Sequence, residues 1–281
     1  YLEQSRDYIT ALLRQLMTQI APDGQECLDG TRFLDWPSNS NKDAIAAGLQ
    51  ALMVWGMRVG VEFAELFEDR QLSNDCKAAE KKLVKAASKV YKKFLASCPA
   101  PDAPGSKQVT ALMTITGLID APKADKEFLS INGAQGFSTF YGYYMLEAMA
   151  MAGNYQGALD VIREYWGAMI DLGATSFWED FDINWIPNAA PIDELVPEGK
   201  KDIHGDCGAY CYVGFRHSLC HGWASGPTSW LSRHILGVEV IEPGCRQVRI
   251  TPHLGDLQWV KGTFPTPYGE LQIYHEKQAN G

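Results

Sequence analysis

The stretch of this 281-residue chain richest in chemistry runs from Gly173 to Trp185, Gly-Ala-Thr-Ser-Phe-Trp-Glu-Asp-Phe-Asp-Ile-Asn-Trp. At its centre one carboxylate, Glu179, is flanked by Trp178 and Asp180, with Phe177, Phe181 and Trp185 close by. Aromatic walls exclude water and favour the neutral form of a carboxyl group, which tunes it for acid–base work, and a flat ring is a surface on which a pyranose can lie. A site that cleaves sugars needs both. The same residues also read as a loop whose rings plug the end of a helical core while its acids sit in water. The stretch alone leaves both readings open.

The elements that must position this stretch are helical. Gly173 suits the left-handed position just past a helix end, where a side chain would be strained. Apolar residues recur at helical period over residues 1–20 (Ile9, Leu12, Leu13, Leu16, Met17 and Ile20, closed by Pro22), and over 43–68, 76–95, 109–119, 137–151, 156–172 and 218–236. Cys98-Pro-Ala-Pro-Asp-Ala-Pro-Gly is a breaker-dense link between two of these helices. So many helices joined by short loops suggest hairpins. From Gly237 the period changes to two, with Val248 and Ile250, then Leu257-Gln-Trp-Val, then Leu271-Gln-Ile-Tyr, which reads as three or four strands. The expected division is a helical domain over 1–237 and a β domain over 238–281, with too few strands to close a sandwich. Tyr1 opens directly on helix-period residues and Gly281 stops within the strand series, so a piece of a longer chain is expected.

Composition excludes several classes. A net charge of -9 without a basic face argues against nucleic acid, whose phosphates need concentrated positive charge. The lysines of residues 77–93 alternate with Ala79, Leu83, Val84, Ala87, Val90 and Tyr91, as on a solvated helix face. No run approaches the ~20 continuous apolar residues of a membrane span, and no signal-peptide pattern opens the chain. The 7 cysteines are odd in number and irregularly spaced, which is no disulfide framework. A cluster of His204, Cys207, Cys211, His217, Cys220 and His221 raises zinc, but its spacing fits no tight zinc module, and Tyr210, Tyr212 and Phe215 interleave as packing residues do.

Three motifs, in order, carry a resemblance to a known family. Ser218-Leu-Cys-His-Gly-Trp-Ala-Ser-Gly-Pro-Thr-Ser-Trp-Leu-Ser-Arg, continued by Leu236-Gly-Val and Ile250-Thr-Pro-His-Leu-Gly-Asp-Leu-Gln-Trp-Val-Lys-Gly-Thr-Phe-Pro-Thr-Pro-Tyr-Gly, resembles the C-terminal signature of bacterial α-L-rhamnosidases. Gly173-Ala-Thr-Ser-Phe-Trp-Glu is similar to their Gly-Ala-Thr-Thr-x-Trp-Glu motif, and Phe33-Leu-Asp-Trp to their aromatic-x-Asp-Trp loop. The resemblance implies a mainly α fold, an (α/α)6 barrel present in part as about seven helices, followed by the first strands of an antiparallel β-sandwich. It implies hydrolysis of terminal α-L-rhamnose from a glycan or glycoside with inversion. No cofactor or metal enters that chemistry, though some members bind calcium.

Inversion needs an acid on the leaving oxygen and a base on water at the opposite face, the two carboxyls roughly 6.5–9.5 Å apart. By motif Glu179 matches the family's general base. The general acid belongs to an Asp-x-x-x-Arg-Glu-Arg-x-Gly-Trp segment that residues 1–281 do not contain, and it is expected upstream of Tyr1. His221 matches a histidine that hydrogen-bonds rhamnose, and Trp36 a tryptophan that packs on its apolar face. Asp35 either binds a hydroxyl or anchors its own loop. Trp178 either stacks or walls off Glu179, and Tyr141, in the set Phe140, Tyr141, Tyr143 and Tyr144, is the ring expected in the cleft. The sequence departs from the family at Cys220-His221, where Asn-His is usual, and in the long interval between Glu179 and His221, whose Asp193, Glu194 and Glu198 read as rim groups or as solvated charges. Other readings are a different inverting (α/α)6 glycosidase, a phosphorylase, or a carbohydrate-binding helical domain without catalysis. The matched base speaks against the phosphorylase, which uses phosphate in place of activated water. Family habit implies a periplasmic or secreted bacterial protein; oligomeric state is not legible.

Overall fold

The computed structural model describes residues 2–203 and 217–278, and the chain divides into two compact units, Tyr1–Ala124 and Asp125–Gly281. The first unit contains α1 (Leu2–Thr18), α2 (Lys42–Leu66), α3 (Arg70–Ser97), α4 (Ser106–Ile115) and the single turn α5 (Ala121–Ala124). Helix α2 starts where the Asn41 side chain accepts the Ala44 N–H at 3.0 Å, and α3 where Asp69 accepts that of Leu72 at 2.9 Å. Each cap satisfies one of the amides that a helix start leaves unpaired. Only three residues separate α2 from α3, and Glu68 turns the chain with φ +56°.

Apolar side chains at helical spacing meet across this hairpin and α1. Leu13 of α1, Met53, Val54 and Met57 of α2, and Leu72, Cys76 and Leu83 of α3 form one buried cluster. Burial of each large member contributes about 1.5–3 kcal/mol. Polar ties fix the register: Gln50, buried in α2, accepts from the Glu26 N–H at 2.7 Å and donates to the Leu83 carbonyl at 2.8 Å. Helix α2 is long and apolar enough to cross a bilayer by length and composition, but eleven of its residues are buried inside this unit. Its apolar faces are spent on α3 and α4.

The second unit opens with a π turn (Asp125–Leu129) and continues through α6 (Gly142–Met151), α7 (Tyr155–Asp171) and α8 (Gly226–Trp230), which runs on into a second π turn (Leu231–Ile235). Strands β1 (Val238–Glu242) and β2 (Gln247–Ile250) pair antiparallel with a bulge near Val240, and β3 (Trp259–Thr266) and β4 (Gly269–Glu276) pair antiparallel across a tight turn. Leu236, Val238 and Ile273 are buried together, with Val260, Phe264 and Leu271 packed against them, so the two small sheets share apolar contacts. Helix α7 is pinned to the loop before β3: Tyr155 stacks on His253 with centroids 3.7 Å apart and planes 5° from parallel, and Arg163 grips both Asp256 oxygens at 2.8 and 2.9 Å.

The expected mainly helical fold followed by antiparallel strands is therefore present. Two readings change. Residues 121–129 form α5 and the π turn where a loop was expected, because Pro122 and the four charges Lys123, Asp125, Lys126 and Glu127 mask their periodicity. The helix expected over 218–236 begins only at Gly226, with Pro227 in its first turn; residues 218–221 are committed to pairing elsewhere.

Candidate active site

Helix α7 ends as its sequence requires. Gly173 has φ +89°, and the N–H groups of Gly173 and Ala174 return to the carbonyls of Ile170 and Met169 at 2.9 Å. The next residues are laced, antiparallel, to residues 217–221. The Ser176 hydroxyl donates to the Leu219 carbonyl, the His221 N–H to that of Phe177 at 2.7 Å, and the Glu179 N–H to that of Ser218 at 2.8 Å. One step on, the Asp180 N–H donates to His217 Nε2 at 3.1 Å, while His217 Nδ1 lies 3.0 Å from the Ile203 carbonyl. A nitrogen facing a carbonyl must carry the proton and one facing an N–H must not. His217 is thus the neutral Nδ1–H tautomer.

This clamp brings two of the expected site residues together. Glu179 Oε2 accepts from the Ser218 N–H at 3.3 Å and lies 4.0 Å from His221 Nδ1, beyond direct hydrogen-bond reach. The Glu179 side chain is 15% exposed and that of His221 34%, so both are reachable from outside. His221 packs against Trp223 with centroids 4.5 Å apart.

Two of the expected binding residues are placed differently. Trp178 is fully buried, edge-on to Phe181 and His217 at centroid distances of 5.9 and 6.3 Å. A ring without an exposed face cannot receive a sugar, so Trp178 walls the clamp from behind. Tyr141, expected in the cleft, is only 4% exposed and packs on Phe140 and Tyr144. The rest of that set does face a hollow: Phe140, Tyr143 and Tyr144 line about 270 Å³ together with Trp223, Ser225, Gly226 and Ser229. Burial pushes the Tyr143 and Tyr144 phenols up from their ordinary value, which keeps both hydroxyls protonated near neutral pH.

Trp36 and Asp35 belong to the first unit. Asp35 is buried; its Oδ1 accepts the Trp36 N–H at 2.9 Å and its main chain exchanges two bonds with the Ser38 hydroxyl, so it anchors its own loop. The Trp36 ring is half-buried and meets Phe33 edge-on at 5.0 Å. His204, Cys207 and Cys211 of the cluster considered for zinc lie outside the described residues, and Cys220 is exposed. Sequence reasoning missed Thr139, Ser218 and Trp223, all of which bond to Glu179. A bond to a main-chain carbonyl some forty residues away leaves no local pattern to read.

Residues 237–281 match the family described as Bacterial alpha-L-rhamnosidase C-terminal domain. The resemblance to α-L-rhamnosidases holds. Among solved structures, a rhamnosidase of Bacillus sp. GL1 is similar with a TM-score of 0.67 and 20% identity, covering 99% of this chain and 29% of its own. An α-L-rhamnosidase from Dictyoglumus thermophilum gives 0.71 and 18%, covering 99% and 30%. A rhamnosidase from Klebsiella oxytoca with rhamnose bound gives 0.55 and 21%, covering 83% and 43%. At these identities the likeness to the rhamnosidases is one of fold, and the chain spans less than a third of the first two. No curated protein matches the chain.

Proposed function

We propose that the chain is part of an inverting glycoside hydrolase that releases terminal α-L-rhamnose, in which Glu179 is the general base. Supporting this is the clamp: it holds a reachable carboxylate 4.0 Å from an imidazole with no cation seated on that carboxylate among the described residues. Glu179 takes a proton from water as the water oxygen attacks the anomeric carbon. The bond to the leaving oxygen breaks on the opposite face, and that oxygen is protonated by a general acid whose family motif is not found in the sequence of this chain. His221, too far from Glu179 to be tied up by it, is left to hydrogen-bond a sugar hydroxyl. The position of Glu179 after a series of helices and the rhamnosidase fold of the neighbours support the sugar class. Trp36 is the ring proposed to pack on the sugar, on the strength of its motif.

The test is Glu179→Gln in the complete enzyme containing this chain. Turnover of an aryl α-L-rhamnoside should fall about 10²–10⁴-fold, the usual worth of a general base, while rhamnose still binds. Near-normal turnover would remove Glu179 from the base role.

A further inference from the structure

The carboxylate of a base is only as well placed as the backbone that carries it, and the backbone of Glu179 is held from three separate segments. Its carbonyl oxygen accepts the indole N–H of Trp223 at 2.6 Å and the hydroxyl of Thr139 at 2.6 Å. Those two donors occupy both lone pairs of the carbonyl. Its N–H donates to the Ser218 carbonyl at 2.8 Å, and the Ser218 N–H returns to Oε2 at 3.3 Å. Trp223 is itself fixed: it lies in a single 3₁₀ turn (Gly222–Ala224), stacks on Phe140 with centroids 5.3 Å apart and planes 15° from parallel, and backs the His221 ring. Thr139 is buried directly before Phe140. One indole therefore fixes the main chain of Glu179 by its N–H and stacks its face on Phe140.

We infer that Trp223 and Thr139 are positioning residues of the reaction proposed above, a mount that sets where the Glu179 carboxylate meets water. The inference rests on Glu179 being the base. Neither residue touches the reacting atoms. Both act by fixing the main chain from which the base projects, and a displacement of about 1 Å at a reacting group can cost on the order of 10²-fold. Since the sugar is bound by other groups, losing the mount should slow turnover while leaving affinity alone.

The experiment uses the complete enzyme and four variants. Trp223→Phe keeps a ring to stack on Phe140 but removes the N–H; Thr139→Val keeps the shape but removes the hydroxyl; Thr139→Ser restores it; Glu179→Gln removes the base. With an aryl α-L-rhamnoside, Trp223→Phe and Thr139→Val should each lower kcat about 10- to 100-fold with KM and rhamnose inhibition unchanged, and Thr139→Ser should recover most of the loss. Combined with Glu179→Gln, neither should lower kcat further, because residues that act through one group are not additive. Should Trp223→Phe prove unstable by thermal melting, the Thr139 pair decides alone. Wild-type turnover in Thr139→Val beside a crippled Glu179→Gln, or an equal further loss in the Glu179→Gln background, overturns the mount only. Full turnover in Glu179→Gln overturns the base and the mount together.

Discussion

Two glutamates of the second unit have nearly the same exposure and opposite circumstances. Glu147, on α6, is 13% exposed and both its oxygens are committed, Oε1 to His234 Nε2 at 3.0 Å and Oε2 to Arg233 Nη1 at 3.3 Å. Glu179 is 15% exposed, yet its nearest imidazole stands at 4.0 Å and its strongest bonds are made by its main chain. In the first case the side chain is the fastener, tying α6 to the turn that follows α8. In the second the backbone is fastened and the side chain is spared. Burial and a histidine neighbour are common to the two; what differs is which part of the residue is bound.

That comparison breaks most visibly at Glu179. Glu179→Gln should cost orders of magnitude in kcat and little in melting temperature, so a large drop in Tm with kcat preserved would reverse the assignment. His221→Ala should come next, weakening inhibition by rhamnose up to about tenfold, the worth of one lost hydrogen bond; inhibition at the wild-type level would take His221 out of the site. Glu147→Gln should do the opposite of Glu179→Gln. With one acceptor oxygen replaced by a donor, Arg233 and His234 cannot both keep their bonds to residue 147, which should cost about 1–3 kcal/mol, seen as a lower Tm, with kcat for the aryl rhamnoside intact. If kcat fell instead, the two carboxylates would not be distinct in kind.

The smallest effect concerns pH. Burial, and secondly the nearness of His234, lower the His253 pKa below its ordinary value. The folded state then binds that proton less readily than the unfolded state, so stability is fully present above the unfolded value, about 6.5, and is lost as pH falls below it. His253→Phe keeps a ring to stack on Tyr155 and removes the titration. Its Tm should decline less steeply between pH 7 and pH 5 than that of the wild type, and parallel profiles would show that the stack carries no pH dependence.

Much of this was legible in the residues. The amphipathic stripes of α1, α2, α3 and α7 and the alternation in β2 to β4 depend on local periodicity, and Gly173 announces its turn because only glycine sits there without strain. Glu179 and His221 stand out by motif, and the fold brings them within 4.0 Å of each other. What stayed hidden was long-range: Trp178 looks like a sugar platform until its ring is seen packed against Phe181 and His217, and Tyr141 like a cleft residue until it is seen buried beside rings that do line a hollow. Residues 218–221 adjoin a stretch of helical period but are recruited to partner the Glu179 segment, a tertiary demand that local periodicity does not show.

Because residues 176–181 are stitched to residues 217–221, the chain leaves and re-enters the clamp at nearly one place. The described part of what lies between, residues 182–203, is tied back at Ile192, whose N–H donates to the Leu172 carbonyl at 2.9 Å, and at Ile203, whose carbonyl faces His217. Where the two edges of a loop are held together, closure entropy rises only slowly with loop size, so a change of length between them costs the fold little.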